Sequence, residues 1–226
     1  MSPVTKQARV RTAHRRVAGF LGLFLLLHFA AHFSAVYSLS AQSLVLNAGR
    51  TIYRIPVVEI AMIAAFGAQV VLGIQLLKGI SKRKSRGFWH WAQFASGAYL
   101  AYFIIMHTGA ALLARWMSGL DTNFYWPAGT LILTPLKYLF APYYTLAITA
   151  FVTHVIAALH YRRPKPWQKP ALALGPIAAL LILLAYSGVY YQVELPAEHL
   201  EYFDGYGRLP EPDYPSTITL QQPPES

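Results

Sequence analysis

The chain contains no cysteine and has few charged residues for its length. Without cysteine it can form no disulfide, and it cannot offer a thiolate to zinc, to an iron–sulfur cluster or to a nucleophilic reaction. Only 12% of the 226 residues are charged and 55% are hydrophobic, whereas a soluble domain carries about 25% charged residues. The composition therefore indicates an integral membrane protein.

Five apolar stretches are long enough to cross a bilayer, which takes roughly 20 residues. The first is too long for a signal peptide, and no small-residue cleavage pattern ends it. Segment 124–140 is interrupted by proline and glycine, and we interpret it as an interfacial or re-entrant stretch with Tyr125, Trp126 and Tyr138 at the headgroups. The sequence predicts an all-α fold, a five-helix transmembrane bundle with a short interfacial segment between the third and fourth spans, the spans being 17–39, 56–77, 91–114, 141–161 and 171–191.

Basic residues are concentrated at alternate ends of the spans. Of the 19 lysines and arginines, five precede position 17, five lie in 78–86 and four lie in 162–169. This distribution is typical of topology signals and headgroup contacts, not of nucleic-acid binding. It predicts a multi-pass protein of the bacterial inner membrane, with the N-terminus in the cytoplasm and the C-terminus in the periplasm.

The same distribution divides the chain into three regions. A basic cytoplasmic N-terminus covers 1–16, the transmembrane domain covers 17–191, and an acidic, proline-rich tail covers 192–226 on the outer side. The tail holds seven of the nine acidic residues. We expect it to have little regular structure unless a partner orders it.

Several histidines lie where the bilayer would be. An ionisable group is costly there, by about 2.5 kcal/mol or more when charged at mid-membrane, so such a residue usually faces the bundle interior with a partner. Carboxylates are scarce, since Glu59 is the only acid within a span. Haem iron, which accepts an imidazole on each face, is the natural partner for the five histidines within or at the edge of the spans: His28, His32, His107, His154 and His160.

The depth of these histidines selects a pair. At about 1.5 Å per residue, His28 lies roughly 18 Å beyond Arg16, and His107 lies roughly 24 Å into the third span. We predict that His28 and His107 are the axial ligands of one haem b. His32 is one turn beyond His28 on the same face, and it is a second-choice ligand or a propionate contact. Interhelical hydrogen bonding is the alternative role for His28 and His107.

His154 lies at a different level, roughly 12 Å from the basic edge at 1.5 Å per residue. The second span offers no histidine opposite it, only Gln69 and Gln75. We therefore expect that His154 makes hydrogen bonds or contacts quinone. Ligation of a second haem is its less favoured role.

The remaining polar candidates are less specific. Gln93 shares a face of the third span with His107, which makes it a candidate cofactor contact. Arg16 lies at the cytoplasmic end, where it would pair with a haem propionate, a quinone carbonyl, a docked subunit or lipid headgroups. His160 is interfacial, and we expect solvent or headgroup contact for the other three histidines: His14, His90 and His199.

Two other metal centres can be weighed against haem. His28 and His32 are spaced as zinc or di-iron ligands on a helix. Zinc needs a third or fourth ligand at the same level, and His107 supplies only one more. A membrane di-iron oxygenase needs many more histidines than the chain has.

Three stretches resemble a known family. The first span contains Gly19-Phe-Leu-Gly22-Leu-Phe24 followed by His28, the third contains Trp91-Ala-Gln93-Phe-Ala-Ser-Gly97 followed by His107, and the fourth contains His154 with Tyr161 and Arg162 at its exit. Over about 17–191 the chain resembles the five-helix membrane-anchor cytochrome b of succinate dehydrogenases and fumarate reductases. In that family one polypeptide carries two haems b.

The resemblance implies that haem ligands come from the first four spans. Spans one and three ligate the haem nearer the outer face, and spans two and four ligate the one nearer the cytoplasm. His28 and His107 match the outer pair, and His154 matches half of the inner pair. The second-span position falls near Gly73 or Ile74, so we expect a single haem. The family's acidic residue just before the fourth-span histidine is absent.

The resemblance also implies a function without a catalytic residue in this chain. It would pass electrons between a soluble oxidoreductase partner and membrane menaquinone or ubiquinone, with flavoprotein and iron–sulfur subunits docked on the cytoplasmic face. Its outer tail could bind another protein. The alternative is a non-haem assembly or interaction subunit on the same scaffold. A transporter is less favoured, because Glu59 is the only coupling carboxylate within a span.

Overall fold

The structure is a computed structural model that describes residues 3–81 and 87–204. Within these ranges it contains helices and no strand, so the all-α prediction is confirmed. The helices are α1 (Pro3–Ser34), α2 (Leu39–Tyr53), α3 (Pro56–Ser81), α4 (Phe88–Trp116), α5 (Tyr125–Ile132), α6 (Leu136–His160), α7 (Gln168–Ala171), α8 (Leu174–Tyr186) and α9 (Ala197–Asp204).

Five helical stretches are long and apolar enough to cross a membrane. Their outer faces carry large apolar side chains, such as Leu26 and Ile60, which are exposed and suited to lipid contact. The chain therefore has the architecture of a multi-pass membrane protein, as predicted. The basic N-terminus is not separate from the first span, because α1 runs unbroken from Pro3. The spans are Lys6–Ser34, Pro56–Ser81, Phe88–Trp116, Leu136–His160 and Gln168–Tyr186.

The five spans form a closed ring. Each helix packs against its two neighbours in the order α1, α3, α4, α6 and α8, and α8 returns to α1. Helices that are not neighbours in this ring hardly approach each other through their backbones. Side chains therefore bridge the middle of the ring, as where Phe29 of α1 meets Phe151 of α6 with ring centroids 5.0 Å apart.

The two ends of the ring differ in character. We call the end at which α1 and α4 begin the basic end. There Trp89 stacks on His160, with centroids 4.2 Å apart, and His160 Nδ1 lies 2.7 Å from Gln168 Oε1. We call the opposite end the α5 end. The N-terminal cluster and the 162–169 cluster both lie at the basic end, so they share one side of the bundle as predicted.

The α5 end has the densest packing. α5 lies against α6, α8 and α9, and Trp126 is only 8% exposed. The prediction that Trp126 lies at the headgroups is therefore wrong, although Tyr138 is exposed. The core at this end includes Ala35, Ala114, Phe124, Ala128, Ile182, Ala185, Tyr186 and Phe203.

α2 is an additional helix between the first two spans. Ser38 begins it as an N-cap, since its hydroxyl accepts a hydrogen bond from the Ala41 backbone N–H at 3.0 Å. With 15 residues, α2 is too short to span a bilayer. It packs against α1 and α3 and brings its C-terminal residues to the α5 end of the bundle.

The first part of the acidic tail is ordered, contrary to the prediction. α9 presses Phe203 onto Gly129 of α5 so closely that a Cβ at Gly129 would lie 2.1 Å from the ring. His199 is fully buried, and its Nε2 lies 3.2 Å from the Asp121 carbonyl oxygen. Packing against α5 thus fixes a segment whose composition alone suggested disorder. Residues 205–226 of the tail lie outside the described residues.

Candidate functional site

His28 and His107 meet across the ring. They project from α1 and α4, which are not neighbours in the ring, and their ring centroids are 6.1 Å apart with planes tilted by 71°. The two histidines that the sequence selected therefore lie at one level and face each other, as expected from their depths.

Aromatic side chains enclose this pair. Phe24 stacks on His28 with centroids 5.3 Å apart, and Phe103 stacks on His107 at 4.9 Å. Trp126 of α5 lies 6.1 Å from the His107 ring. Among the described residues we find no hydrogen bond to either nitrogen of His107. Its imidazole thus sits among aromatic rings with a nitrogen lone pair that none of the described side chains uses.

Side chains in the middle of the ring are less buried than those at the α5 end. His28 and His107 remain half-buried although helices surround them on all sides. Few side chains of the surrounding spans are fully buried, in contrast to the dense α5 end. In α3 and α4 the buried residues are Met62, Val70, His90, Ser96 and Ala114.

His32 is tied to both the α5 end and His28. Its Nδ1 lies 2.8 Å from the hydroxyl of Tyr186, which is buried and stacked on Phe124. Its Nε2 lies 3.2 Å from His28 Nε2. His28 Nε2 must leave this hydrogen bond to bind a metal ion, because one nitrogen lone pair cannot serve both.

A second pair of imidazoles lies nearer the basic end. His14 of α1 and His154 of α6 have ring centroids 6.5 Å apart. His14, for which the sequence predicted solvent or headgroup contact, is the partner of His154 that the second span does not provide. The helical periodicity of α1 is the signal that could have found it, since His14 and His28 are separated by 14 residues, close to four turns of a helix.

Hydrogen bonds occupy both imidazoles of this second pair. Gln69 Nε2 lies 3.0 Å from His14 Nε2. Gln93 Nε2 lies 3.0 Å from His154 Nδ1, and the Ser96 hydroxyl lies 3.3 Å from the same atom. Unlike His107, these imidazoles already have polar partners within the protein.

Gln93 belongs to the His154 cluster, away from His28 and His107. It lies 14 residues before His107 on α4, roughly 21 Å along the helix. Gly97, one turn after Gln93, lets His154 approach α4, because a Cβ there would lie 3.1 Å from His154 Cε1. The shared helix face predicted for Gln93 and His107 therefore spans two separate levels of the bundle.

Two other predicted positions, His90 and His199, differ from the structure, and the contacts predicted for Arg16 stay predictions. Arg16 is exposed on α1, twelve residues and roughly 18 Å from His28. His90 is 5% exposed and His199 is fully buried, so the expectation of solvent or headgroup contact is wrong for both. Both are hidden by tertiary packing that the local sequence does not reveal.

A cluster of charged side chains lies at the α5 end, beside α2. Arg50 makes a two-pronged contact with Asp121, at 2.7 and 3.1 Å, and Arg54 lies 3.4 Å from the same carboxylate. Arg115 pairs with Glu59. Burial alone would raise the pKa of Asp121, but the hydrogen bonds and charge of Arg50, helped by Arg54, lower it overall.

The described residues contain no ready-made site for a bare metal ion. No group of three or more histidine, cysteine, aspartate or glutamate side chains among them is placed to hold one. A zinc or di-iron centre requires such a group, whereas an iron already held by a porphyrin needs only two protein ligands.

Comparisons with protein-family models, with characterised proteins and with solved structures find no match to this chain.

Proposed function

We propose that this chain is a haem-b-binding membrane subunit that passes electrons between a soluble oxidoreductase partner and membrane quinone. The proposal follows the resemblance to the membrane anchors of succinate dehydrogenases and fumarate reductases. The observation that carries it is the meeting of His28 and His107 across the ring, with centroids 6.1 Å apart.

The spacing of the two imidazoles fits one shared iron. An imidazole nitrogen lies about 2 Å from a first-row metal ion, and adding the half-width of each ring puts the two ring centres roughly 6 Å apart. His28 and His107 have this separation, and they project from helices that are not neighbours in the ring.

The surroundings fit a flat, largely apolar group. Phe24 and Phe103 stack on the two imidazoles, and Trp126 and Tyr144 extend the aromatic wall at His107. Apolar surroundings of this kind favour the neutral imidazole, which is the form that binds a metal ion. When bound, haem would supply one-electron transfer. The protein's part is to hold the two nitrogens and shield them from solvent.

The basic end supports the remaining part of the proposal. His154, Gln93 and His14 form a group of neutral hydrogen-bonding side chains near that end, and such groups suit a quinone carbonyl. Exposed basic residues there, Arg16 among them, suit an acidic face of docked flavoprotein and iron–sulfur subunits. The positive-inside rule makes this end cytoplasmic, in the bacterial inner membrane.

Optical spectroscopy of the purified protein tests the proposal. We expect a Soret band and a sharp α band in the dithionite-reduced minus oxidised spectrum. Protein that contains no haem after expression with ample haem supply, and that binds none when haem is added in detergent, would contradict it. That result would favour the alternative of an assembly or interaction subunit without haem.

A further inference from the structure

Three arginines gather at the α5 end, on the same side of the bundle as the loop after α4. Arg50 lies in the C-terminal part of α2, Arg54 follows directly as its C-cap, and Arg115 comes from the last turn of α4. They share two carboxylates, Asp121 and Glu59.

Among the residues that the structure describes, the cluster carries one positive charge more than its carboxylates neutralise. Arg54 is the least satisfied of the three, because its contact with Asp121 is long at 3.4 Å and its side chain is 31% exposed. Burial and the neighbouring charges of Arg50 and Arg115 lower the pKa of Arg54 despite Asp121. The surplus charge is therefore available to an anion.

Side-chain contacts connect this cluster to His28. Phe24 stacks on His28 and also meets Tyr53 edge-on, with centroids 5.3 Å apart in both contacts. The Tyr53 hydroxyl lies within electrostatic range of all three arginines, although burial dominates and raises the pKa of Tyr53. On the other side of the ring, Arg115 follows His107 by eight residues, roughly 12 Å along α4.

We propose that Arg50, Arg54 and Arg115 bind the propionate carboxylates of the haem held by His28 and His107. This inference rests on the proposed function. A carboxylate taken out of water needs a cation and hydrogen-bond donors, and a guanidinium provides both in a fork that matches its two oxygens. Arg16, the sequence-based candidate for this contact, lies at the far end of α1.

Binding of haem and of its dimethyl ester to haem-free protein in detergent tests this assignment. The ester keeps the iron and the ring but has no negative charge on its side chains. We expect the wild-type protein to bind haem at least about tenfold more tightly than the ester, which corresponds to one charge-assisted hydrogen bond. The Arg54→Gln variant should reduce this preference to about twofold, and Arg16→Gln should leave it unchanged.

The outcomes separate this assignment from the proposed function. Equal binding of acid and ester by the wild-type protein, with a low-spin spectrum for both, would overturn the propionate site while supporting the haem site. The same result is expected if the arginines hold a lipid headgroup instead. Failure to bind either compound would contradict the proposed function itself. Because the wild-type comparison needs no variant, the test stands even if Arg54→Gln does not fold.

Discussion

His14 and His154 face each other across the basic half of the ring, with their ring centroids 6.5 Å apart. This is close to the 6.1 Å between His28 and His107, but the hydrogen bonding differs. Glutamine amides contact both His14 and His154, whereas no hydrogen bond to His107 is found among the described residues. A ligand at the His14 pair must therefore displace hydrogen bonds at both imidazoles, whereas at the other pair only the bond between His28 and His32 has to open.

We expect one haem per chain for this reason. The haem-to-protein ratio of the purified protein checks the expectation. A ratio near two would contradict it, and a fall to one in the His14→Ala variant would place the second haem at the His14 and His154 pair.

The five spans could be predicted from sequence because bilayer thickness sets the length of an apolar helix directly. α2 could not be predicted in this way. Its 15 residues mix apolar and polar positions, and it is held by packing against other helices, which its own sequence does not reveal. α9 forms in a segment whose composition suggests disorder. It is ordered because Phe203 packs against Gly129. That fit involves residues far apart in the sequence.

The candidate site could be predicted only in part. The depths of His28 and His107 follow from helix rise, and the structure places them together. The pairing of His14 with His154 requires that α1 continues through the charged N-terminal segment. The charges of this segment predicted a separate region instead. The link from His32 to Tyr186 connects residues 154 positions apart, and no local pattern predicts such a contact.

Gly129→Ala should loosen α9. The new Cβ would lie 2.1 Å from the Phe203 ring, so the ring must move, at a cost of about 1–3 kcal/mol for an overpacked contact. Faster hydrogen exchange of residues 197–204 would show this loosening. Gly67→Ala is the matched control, because nothing lies within 4 Å of a Cβ there. Equal exchange in the two variants would show that the close contact does not hold α9.

Docking of α9 should weaken in mild acid. Burial holds the pKa of His199 below its ordinary 6.5, although the Asp121 carbonyl and Glu198 oppose the shift. Released α9 exposes His199, which then takes up a proton more readily. The contribution of His199 to the docking free energy is therefore largest above about pH 6.5, and it decreases as the pH is lowered below this value. Asp121 stays ionised through this range, since its pKa is lowered.

Hydrogen exchange of the α9 amides between pH 8 and pH 5, corrected for the intrinsic rate, measures this dependence. We expect protection to decrease in acid for the wild-type protein and to stay level in His199→Gln, which has no titrating group at this position. An identical decrease in both proteins would assign the effect to another group.

The orientation in the membrane can be tested with single cysteines, because the chain has none of its own. The basic clusters predict that Leu220→Cys is labelled by an impermeant thiol reagent in intact cells. Lys165→Cys, at the basic end, should be labelled only after the membrane is opened. The reverse pattern would invert the topology.

Replacement of the three central histidines by alanine, compared by haem content and optical spectrum, tests the haem site most directly. His28→Ala and His107→Ala each remove one of two axial ligands, so we predict that the low-spin haem is lost or becomes high-spin. His154→Ala should keep the wild-type spectrum, because His154 lies at another level and is hydrogen-bonded to Gln93. Loss of haem in His154→Ala with an unchanged spectrum in His28→Ala would contradict the assignment of His28 and His107.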